Sequence, residues 1–245
     1  MLARLKLILR NMLFAGVFVP CTILVALVVR PLGRYQGLQP LIRGLELVWA
    51  KSAIWASGMQ LDMDLPQLDP EQNYVFLSNH QSHLDTPLIL TLFSRYKPRF
   101  LARESLFEIP VFGPGMRACG HFPLRRENRR QAMQDIQVAV DKVQQGESIL
   151  IFPEGTRNTE GDDLLDFQIG AFIVVLKTGL PVVPLLLDGT CHVHRKGALH
   201  IRPGRVRIRA LPPLEISQNY TLKQREELKQ DLWSLMQKNF LELKQ

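Results

Sequence analysis

Between Asn73 and Leu211, short apolar and β-branched runs alternate with stretches of helical character. A chain patterned this way has few options besides an α/β fold. The runs Val75 to Ser78, Arg99 to Arg103, His121 to Leu124, Ser148 to Phe152, Val182 to Leu187 and Val206 to Leu211 each read as a strand. Arg129 to Gln144 reads as a helix, with an apolar stripe of Ala132, Met133, Ile136, Val140 and Val143. Asn128 is placed to cap it and Gly146 to stop it. Leu222 to Leu243 reads as a closing helix that starts at a Thr221-x-x-Gln224 capping box and packs through Leu228, Leu232, Leu235 and Leu243. The expected architecture is a mixed sheet flanked by helices.

The first of these runs ends in Leu77-Ser78-Asn79-His80-Gln81-Ser82-His83-Leu84-Asp85-Thr86-Pro87. Thr86 and Pro87 read as the cap and first position of a helix, because proline tolerates that position. His80 therefore falls where a strand ends and Asp85 where a helix begins. Within one helix a spacing of five would set the two side chains about 140° apart. A turn between strand and helix can instead fold them together, and an imidazole oriented by a carboxylate can take a proton from an alcohol near neutral pH. A capping aspartate beside a satisfied histidine is the blander alternative.

No charged residue occurs from Asn11 to Val29, and as helix these residues would reach about 28 Å, the thickness of a hydrocarbon core. Val28-Val29-Arg30-Pro31 is a poor cleavage site for a signal peptide. Pro20 allows a kinked or re-entrant helix, and Arg4, Lys6 and Arg10 before the run and Arg30 and Arg34 after it leave orientation open. Leu41 to Ser57 reads as a second helix whose Trp49 and Trp55 suit a membrane interface. Pro66-Gln67-Leu68-Asp69-Pro70 reads as a turn. Residues 1–57 are thus expected to form membrane-anchoring helices and residues 58–245 the catalytic domain.

The chain has 245 residues, of which 46% are hydrophobic, and a net charge of +7. Its length supports one domain with a real core, and its charge favours anionic partners such as phosphates or an anionic membrane surface. Cys21, Cys119 and Cys191 are widely spaced and form neither a disulfide framework nor a zinc knuckle, which favours a reducing compartment. Nucleic-acid binding has only the charge in its favour.

A second chemical stretch, Ile151-Phe152-Pro153-Glu154-Gly155-Thr156-Arg157-Asn158, follows the strand at Ser148. Proline and glycine force a tight loop that presents a carboxylate, a hydroxyl and a guanidinium at a strand end, where open α/β sheets bind ligands. Arg157 can grip a phosphate through paired donors. Gly113-Pro114-Gly115-Met116-Arg117-Ala118 fits a dinucleotide fingerprint in letters only, since Pro110 disrupts the strand that must precede it. His192 to Arg209 holds six Lys/Arg, three His and no acid. Arg205, Arg207 and Arg209 would share one strand face there, suited to lipid head groups or donor phosphates, or simply solvated.

Asn79-His80-x-x-x-x-Asp85, Phe152-Pro153-Glu154-Gly155-Thr156-Arg157 and Leu180-Pro181-Val182-Val183-Pro184 together resemble the glycerophospholipid acyltransferases. The subgroup they are most similar to is the bacterial 1-acyl-glycerol-3-phosphate acyltransferases. The resemblance implies transfer of an acyl chain from acyl-CoA or acyl carrier protein to a lysophospholipid hydroxyl, with neither metal nor cofactor. It also implies a place in the inner membrane with the active site facing the cytoplasm. On that pattern His80 is the general base and Asp85 its orienting partner, and Arg103, Arg126, Glu154, Gly155, Thr156 and Arg157 form the substrate-binding set, with Arg126 and Arg157 on the acceptor phosphate. Three departures stand out: Arg103 where the family has lysine, Arg125 where an acid is usual, and Gln168 where lysine is common.

Three rival readings follow from the same residues. Ser82 could be a nucleophile, although no G-x-S-x-G elbow surrounds it. His80, His83 and Asp85, helped by His192 and His194, could hold a metal for hydrolysis, although H-x-x-H-x-D is not a standard zinc spacing. A non-catalytic, basic membrane-binding protein would explain the charge and the first helix but not the two motifs.

Overall fold

Helix is the one local structure that satisfies every backbone polar group of an apolar run internally. In the computed structural model, which describes residues 2–198 and 200–245, the uncharged run lies within a single long helix, α1 (Leu2–Leu32), and Pro20 does not end it. A short turn leads back into α2 (Gln39–Ser57), closed by the left-handed Gly58. The two helices run antiparallel: Trp49 Nε1 donates to Thr22 Oγ1 at 2.9 Å and Arg10 Nη2 donates to the Trp55 carbonyl at 2.7 Å. After them come β1 (Gln60–Asp64), β2 (Val75–Ser78), α3 (Asp85–Leu92), β3 (Pro98–Arg103), α4 (Glu104–Phe107), α5 (Phe112–Ala118) and β4 (Phe122–Leu124). The remainder is α6 (Arg129–Val143), β5 (Ser148–Ile151), α7 (Ile169–Thr178), β6 (Val182–Asp188), α8 (Thr190–Val193), β7 (Arg205–Ala210) and α9 (Arg225–Lys244).

The six expected strands are present with ends moved by one residue at most. The capping box at Thr221 and Gln224 opens a short 3₁₀ turn, Leu222–Gln224, and α9 starts after it. Asn128 caps α6 as expected, its side chain accepting from the N–H groups of Arg130 and Gln131.

The strands form one seven-stranded sheet in the order β1-β7-β6-β2-β5-β3-β4. Strands β6, β2, β5, β3 and β4 are parallel, while β7 runs against β6 and carries β1 beside it. Because side chains alternate across a strand, Phe76 packs into one core while Val75 and Leu77 pack into the other. Helices α2, α3, α4 and α5 cover the first face through Ala50, Ala53, Leu88, Phe107 and Met116. Helices α6, α7 and α9 cover the second through Val140, Phe172, Leu228, Leu232, Met236 and Phe240. The chain leaves β2 toward β3 through α3 on the first face, and leaves β5 toward β6 through α7 on the second. The carboxyl ends of β2 and β5 therefore flank the point where the strand order reverses, which in open α/β sheets is the ligand crevice.

Strand β1 escaped the sequence reading because Gln60-Leu61-Asp62-Met63-Asp64 is mostly polar and exposed. Its partner explains it: Arg205 pairs with Asp62, and Arg209 Nε lies 2.9 Å from Asp64 Oδ2. Arg207 is held by Asp188 at 3.5 Å and donates to the Lys244 carbonyl at 2.9 Å. The three arginines of β7 are thus each paired with an acid within the fold.

Helix α2 is tied to β3 by a buried polar network. Arg99, 1% exposed, reaches Glu46 at 3.0 Å and Glu147 at 3.4 Å. His121 Nε2 lies 2.6 Å from Glu46 Oε1, and its ring stacks on Phe100. Burial holds His121 below its ordinary pKa, whereas for Glu46 the burial cost is outweighed by His121 and Arg99, which hold it below the usual carboxylate range. Helix α1 approaches α5 closely because the latter offers glycine: a Cβ at Gly115 would stand 2.9 Å from the Ala26 Cβ.

Candidate active site

Asn79 ends β2 by replacing main-chain pairing with its side chain: Nδ2 donates to the Leu187 carbonyl at 2.9 Å and Oδ1 accepts from the Leu187 N–H at 2.8 Å. The chain then turns, and α3 begins at Asp85 itself. Thr86 and Pro87 therefore lie one and two residues inside the helix instead of at its cap and first turn position. The reason is that the Asp85 carboxylate folds back onto the loop. Its Oδ2 accepts from the N–H groups of Gln81 at 2.6 Å and Ser82 at 2.8 Å and meets His80 Nδ1 at 2.7 Å. Its Oδ1 accepts from Thr190 Oγ1 at 2.5 Å. The carboxylate is fully buried, whereas the His80 side chain is 18% exposed. With Nδ1 committed to the carboxylate, Nε2 is the ring nitrogen left for a ligand.

The loop after β5 locks onto the same histidine. The His80 ring stacks on Phe152 with centroids 4.0 Å apart. The His80 N–H donates to Glu154 Oε1 at 3.2 Å, and the His80 carbonyl accepts from the Asn158 N–H at 2.7 Å. Asn158 in turn braces its own loop, its side-chain oxygen accepting from the N–H groups of Glu160 and Gly161. Glu154 is 3% exposed, and burial pushes its pKa up to about 8 against the opposing pull of the His80 N–H. Its second oxygen is buried without a partner among the described residues. At pH 7 Glu154 is therefore mostly a neutral acid with an O–H to offer.

Gly155 takes a left-handed conformation, φ +69°, and its carbonyl gathers two guanidinium groups: Arg126 Nη1 donates at 2.7 Å and Arg103 Nη2 at 3.5 Å. A Cβ at Gly155 would lie 3.0 Å from Arg126 Nη1, so the glycine leaves room for that arginine. Burial and the neighbouring charge of Arg103 both lower the Arg126 pKa. Arg125, the departure from the family pattern, is occupied elsewhere. Its Nε donates to Asp135 Oδ2 at 3.0 Å, and the same oxygen accepts from its N–H. Thr156 is exposed at the loop tip.

His80, Asp85, Glu154, Gly155, Arg103 and Arg126 thus converge. Arg157 stands on the other flank of the loop, where its charge bears on Asp85, His83 and His194, and its Nη1 is buried without a partner among the described residues. His83 is exposed, faces His194 with centroids 6.2 Å apart, and takes no part in the His80–Asp85 pair. Among the described residues no three His, Cys, Asp or Glu side chains converge as metal ligands would. Ser82 Oγ donates to the His194 carbonyl at 3.0 Å and accepts from the Leu84 N–H, so no base activates it. The sequence reading missed Thr190, and it quoted Asn79 and Asn158 within its motifs without giving them a role. The signal for Thr190 was Gly189-Thr190 just after a strand that is apolar up to Asp188, the same kind of strand-end position that singled out His80.

Comparison with known proteins places this geometry. The family model described as Acyltransferase matches residues 62–188. The 1-acyl-sn-glycerol-3-phosphate acyltransferase of Haemophilus influenzae is 31% identical over 192 residues, covering 76% of each chain. That of Escherichia coli is 32% identical over 174 residues, 70% of this chain and 68% of the other. A chloroplastic 1-acyl-sn-glycerol-3-phosphate acyltransferase of Brassica napus is 37% identical, but the match spans only 43% of its length. The chain likewise spans less than half of the Chlamydomonas reinhardtii and Arabidopsis thaliana relatives. The crystal structure of the 1-acyl-sn-glycerophosphate (LPA) acyltransferase PlsC from Thermotoga maritima has the same fold, with a TM-score of 0.80 at 24% identity over 98% of this chain and 97% of that one.

The Glu154 environment has a thermodynamic signature. A carboxyl raised from 4.5 to about 8 binds its proton more tightly in the folded state. The associated stability is fully present below pH 4.5 and is lost as pH rises through about 8, a change of at most about 5 kcal/mol. Relative to Glu154→Gln, the wild type should lose unfolding free energy across that window, measured by denaturant titration at a series of pH values. Parallel curves for the two proteins would contradict the buried neutral acid.

Proposed function

The chain belongs to the acyltransferase family, and from that premise we propose that it acylates the free hydroxyl of 1-acyl-glycerol-3-phosphate to give phosphatidic acid, with acyl-CoA or acyl carrier protein as thioester donor. The observation that carries this reading is the 2.7 Å contact between His80 Nδ1 and a fully buried Asp85 carboxylate, beside the arginine cluster at Gly155. His80 Nε2 takes the proton of the acceptor hydroxyl as its oxygen attacks the thioester carbonyl. The carbonyl oxygen becomes an oxyanion, and when it collapses the C–S bond breaks. The departing thiolate takes the proton back from the imidazolium. Asp85 holds the tautomer and stabilises the imidazolium while it lasts. Arg126 and Arg103 hold the acceptor phosphate from one side of the loop, and Arg157 completes the grip from the other. The glycine backbone at position 155 and the Thr156 hydroxyl line the phosphate path. Glu154, neutral and hydrogen-bonded to the His80 main chain, keeps the base in place without adding a repelling charge.

Purified protein in detergent, given acyl-CoA or acyl carrier protein and a panel of lysolipids, tests this reading. Lysophosphatidic acid should be the preferred acceptor. His80→Ala should lower kcat by about 10²–10⁴ with substrate binding nearly intact. Arg126→Ala should raise the acceptor KM about ten- to hundredfold, the loss of a charge-assisted contact worth about 1.5–3 kcal/mol. Full activity in folded His80→Ala protein would overturn the mechanism.

The N-terminal helices, set off at Gly58, are the proposed membrane anchor. One face of α1 packs on α2 and α5, which leaves a stripe of Leu5, Ile8, Leu9, Met12, Val19, Ile23, Leu24 and Leu27 exposed, continued by Val48 and Trp55 on α2. A helix held along the domain in this way is suited to lie within one leaflet. The free cysteines and the bacterial relatives favour the cytoplasmic face of the inner membrane. Full-length protein should stay with membranes through high-salt and carbonate washes. Complete release of the intact chain would refute the anchor.

A further inference from the structure

At the amino-terminal ends of the strands, away from His80, a cleft of about 290 Å³ opens between α2, the end of α3 and the start of β3. That is about ten liquid waters' worth of space, enough for a phosphate ester with a small alcohol. Arg43, Ser94, Arg95, Lys97 and Arg99 line it, with Glu46 as the acid among the lining residues. The cations are unequally occupied. Arg99 is committed to Glu46 and Glu147. Arg43 holds Glu147 through one nitrogen at 2.6 Å, while its Nε is buried without a partner among the described residues. Arg95 has one loose contact, 3.9 Å, with Glu71, both side chains being exposed. Lys97 has no ion pair among the described residues, and it occupies a left-handed turn, φ +51°, that glycine would hold at less cost. The cleft also borders the apolar face of α2: Gly44 and Leu47 line it, and exposed Leu41 and Val48 lie next to them.

We propose that this cleft is a second phosphate-binding site, separate from the acyl-transfer site and placed to take the head-group phosphate of an anionic membrane lipid. Arg43 Nε, the Ser94 hydroxyl, Arg95 and Lys97 supply the donors. The exposed Leu41 and Val48 beside it on α2 would set the lipid's chains next to that phosphate.

The full-length protein can be titrated with glycerol 3-phosphate in detergent by calorimetry, and separately mixed with phosphatidylcholine vesicles with and without phosphatidylglycerol for flotation. Wild type should bind two equivalents of glycerol 3-phosphate. Lys97→Gly combined with Arg95→Gln should lose one of them, with affinity at that site down at least about tenfold, while acyl transfer in detergent is unchanged. Lys97→Gly relieves the turn, so misfolding is not a ready cause of any loss. Arg126→Ala should lose the other equivalent, which separates failure of this site from failure of the acceptor site. Weaker flotation of the double variant on phosphatidylglycerol vesicles, with no such loss for Arg34→Gln combined with Lys51→Gln, identifies the lipid as the source. Loss of the calorimetric equivalent without a flotation change identifies a free phosphate ester. One equivalent in wild type, or equal effects of the two charge-removing pairs in both assays, would overturn the site.

Discussion

The Asp85 carboxylate has no access to water, and its burial is tolerated only because donors from two segments surround it. Two backbone N–H groups and the His80 ring of the loop before α3, and the Thr190 hydroxyl just past the end of β6, all converge on its two oxygens. Removing any one leaves a buried acceptor short of a partner, a loss of about 1–3 kcal/mol or more for a charged group. The position of His80 is thus set by the solvation of Asp85. The loop after β2, the start of α3 and the end of β6 must all be in place before the imidazole has a fixed orientation.

The sheet order supplies that arrangement. Chain leaving β2 and β5 toward opposite faces opens a gap between their carboxyl ends, and the two loops close it by exchanging main-chain and side-chain bonds at His80, Glu154 and Asn158. The arginines are distributed by the same loop, with Arg103 and Arg126 gathered at the Gly155 carbonyl and Arg157 on the opposite flank. At the other end of the strands, the Arg99–Glu46–His121 network fixes α2 to β3 and so sets how the exposed apolar face is presented relative to the catalytic crevice.

Much of this was legible in local sequence. Strand and helix periodicity found the central elements, and the spacing from His80 to Asp85 across a strand end announced the pair. What stayed hidden depended on partners distant in sequence. Strand β1 looked polar until the arginines of β7 were seen to neutralise its aspartates. Arg207 and its neighbours looked available for ligands for the same reason. Thr190 carries no chemical motif, and only the parallel pairing of β2 with β6 brings it to Asp85. Of the two adjacent arginines, the letters alone did not show that Arg125 would be spent on Asp135 and leave Arg126 for the site.

The central claim is that the buried carboxylate fixes one tautomer of His80 and leaves Nε2 bare as the base. Nitrogen NMR of histidine-labelled protein at neutral pH, with the His80 signals assigned by their loss in His80→Gln, reads this directly. The account predicts a protonated Nδ1 and an unprotonated Nε2, with the preference lost in Asp85→Ala. A proton resident on Nε2 in the wild type, or an even mixture of tautomers unaffected by Asp85→Ala, would contradict it.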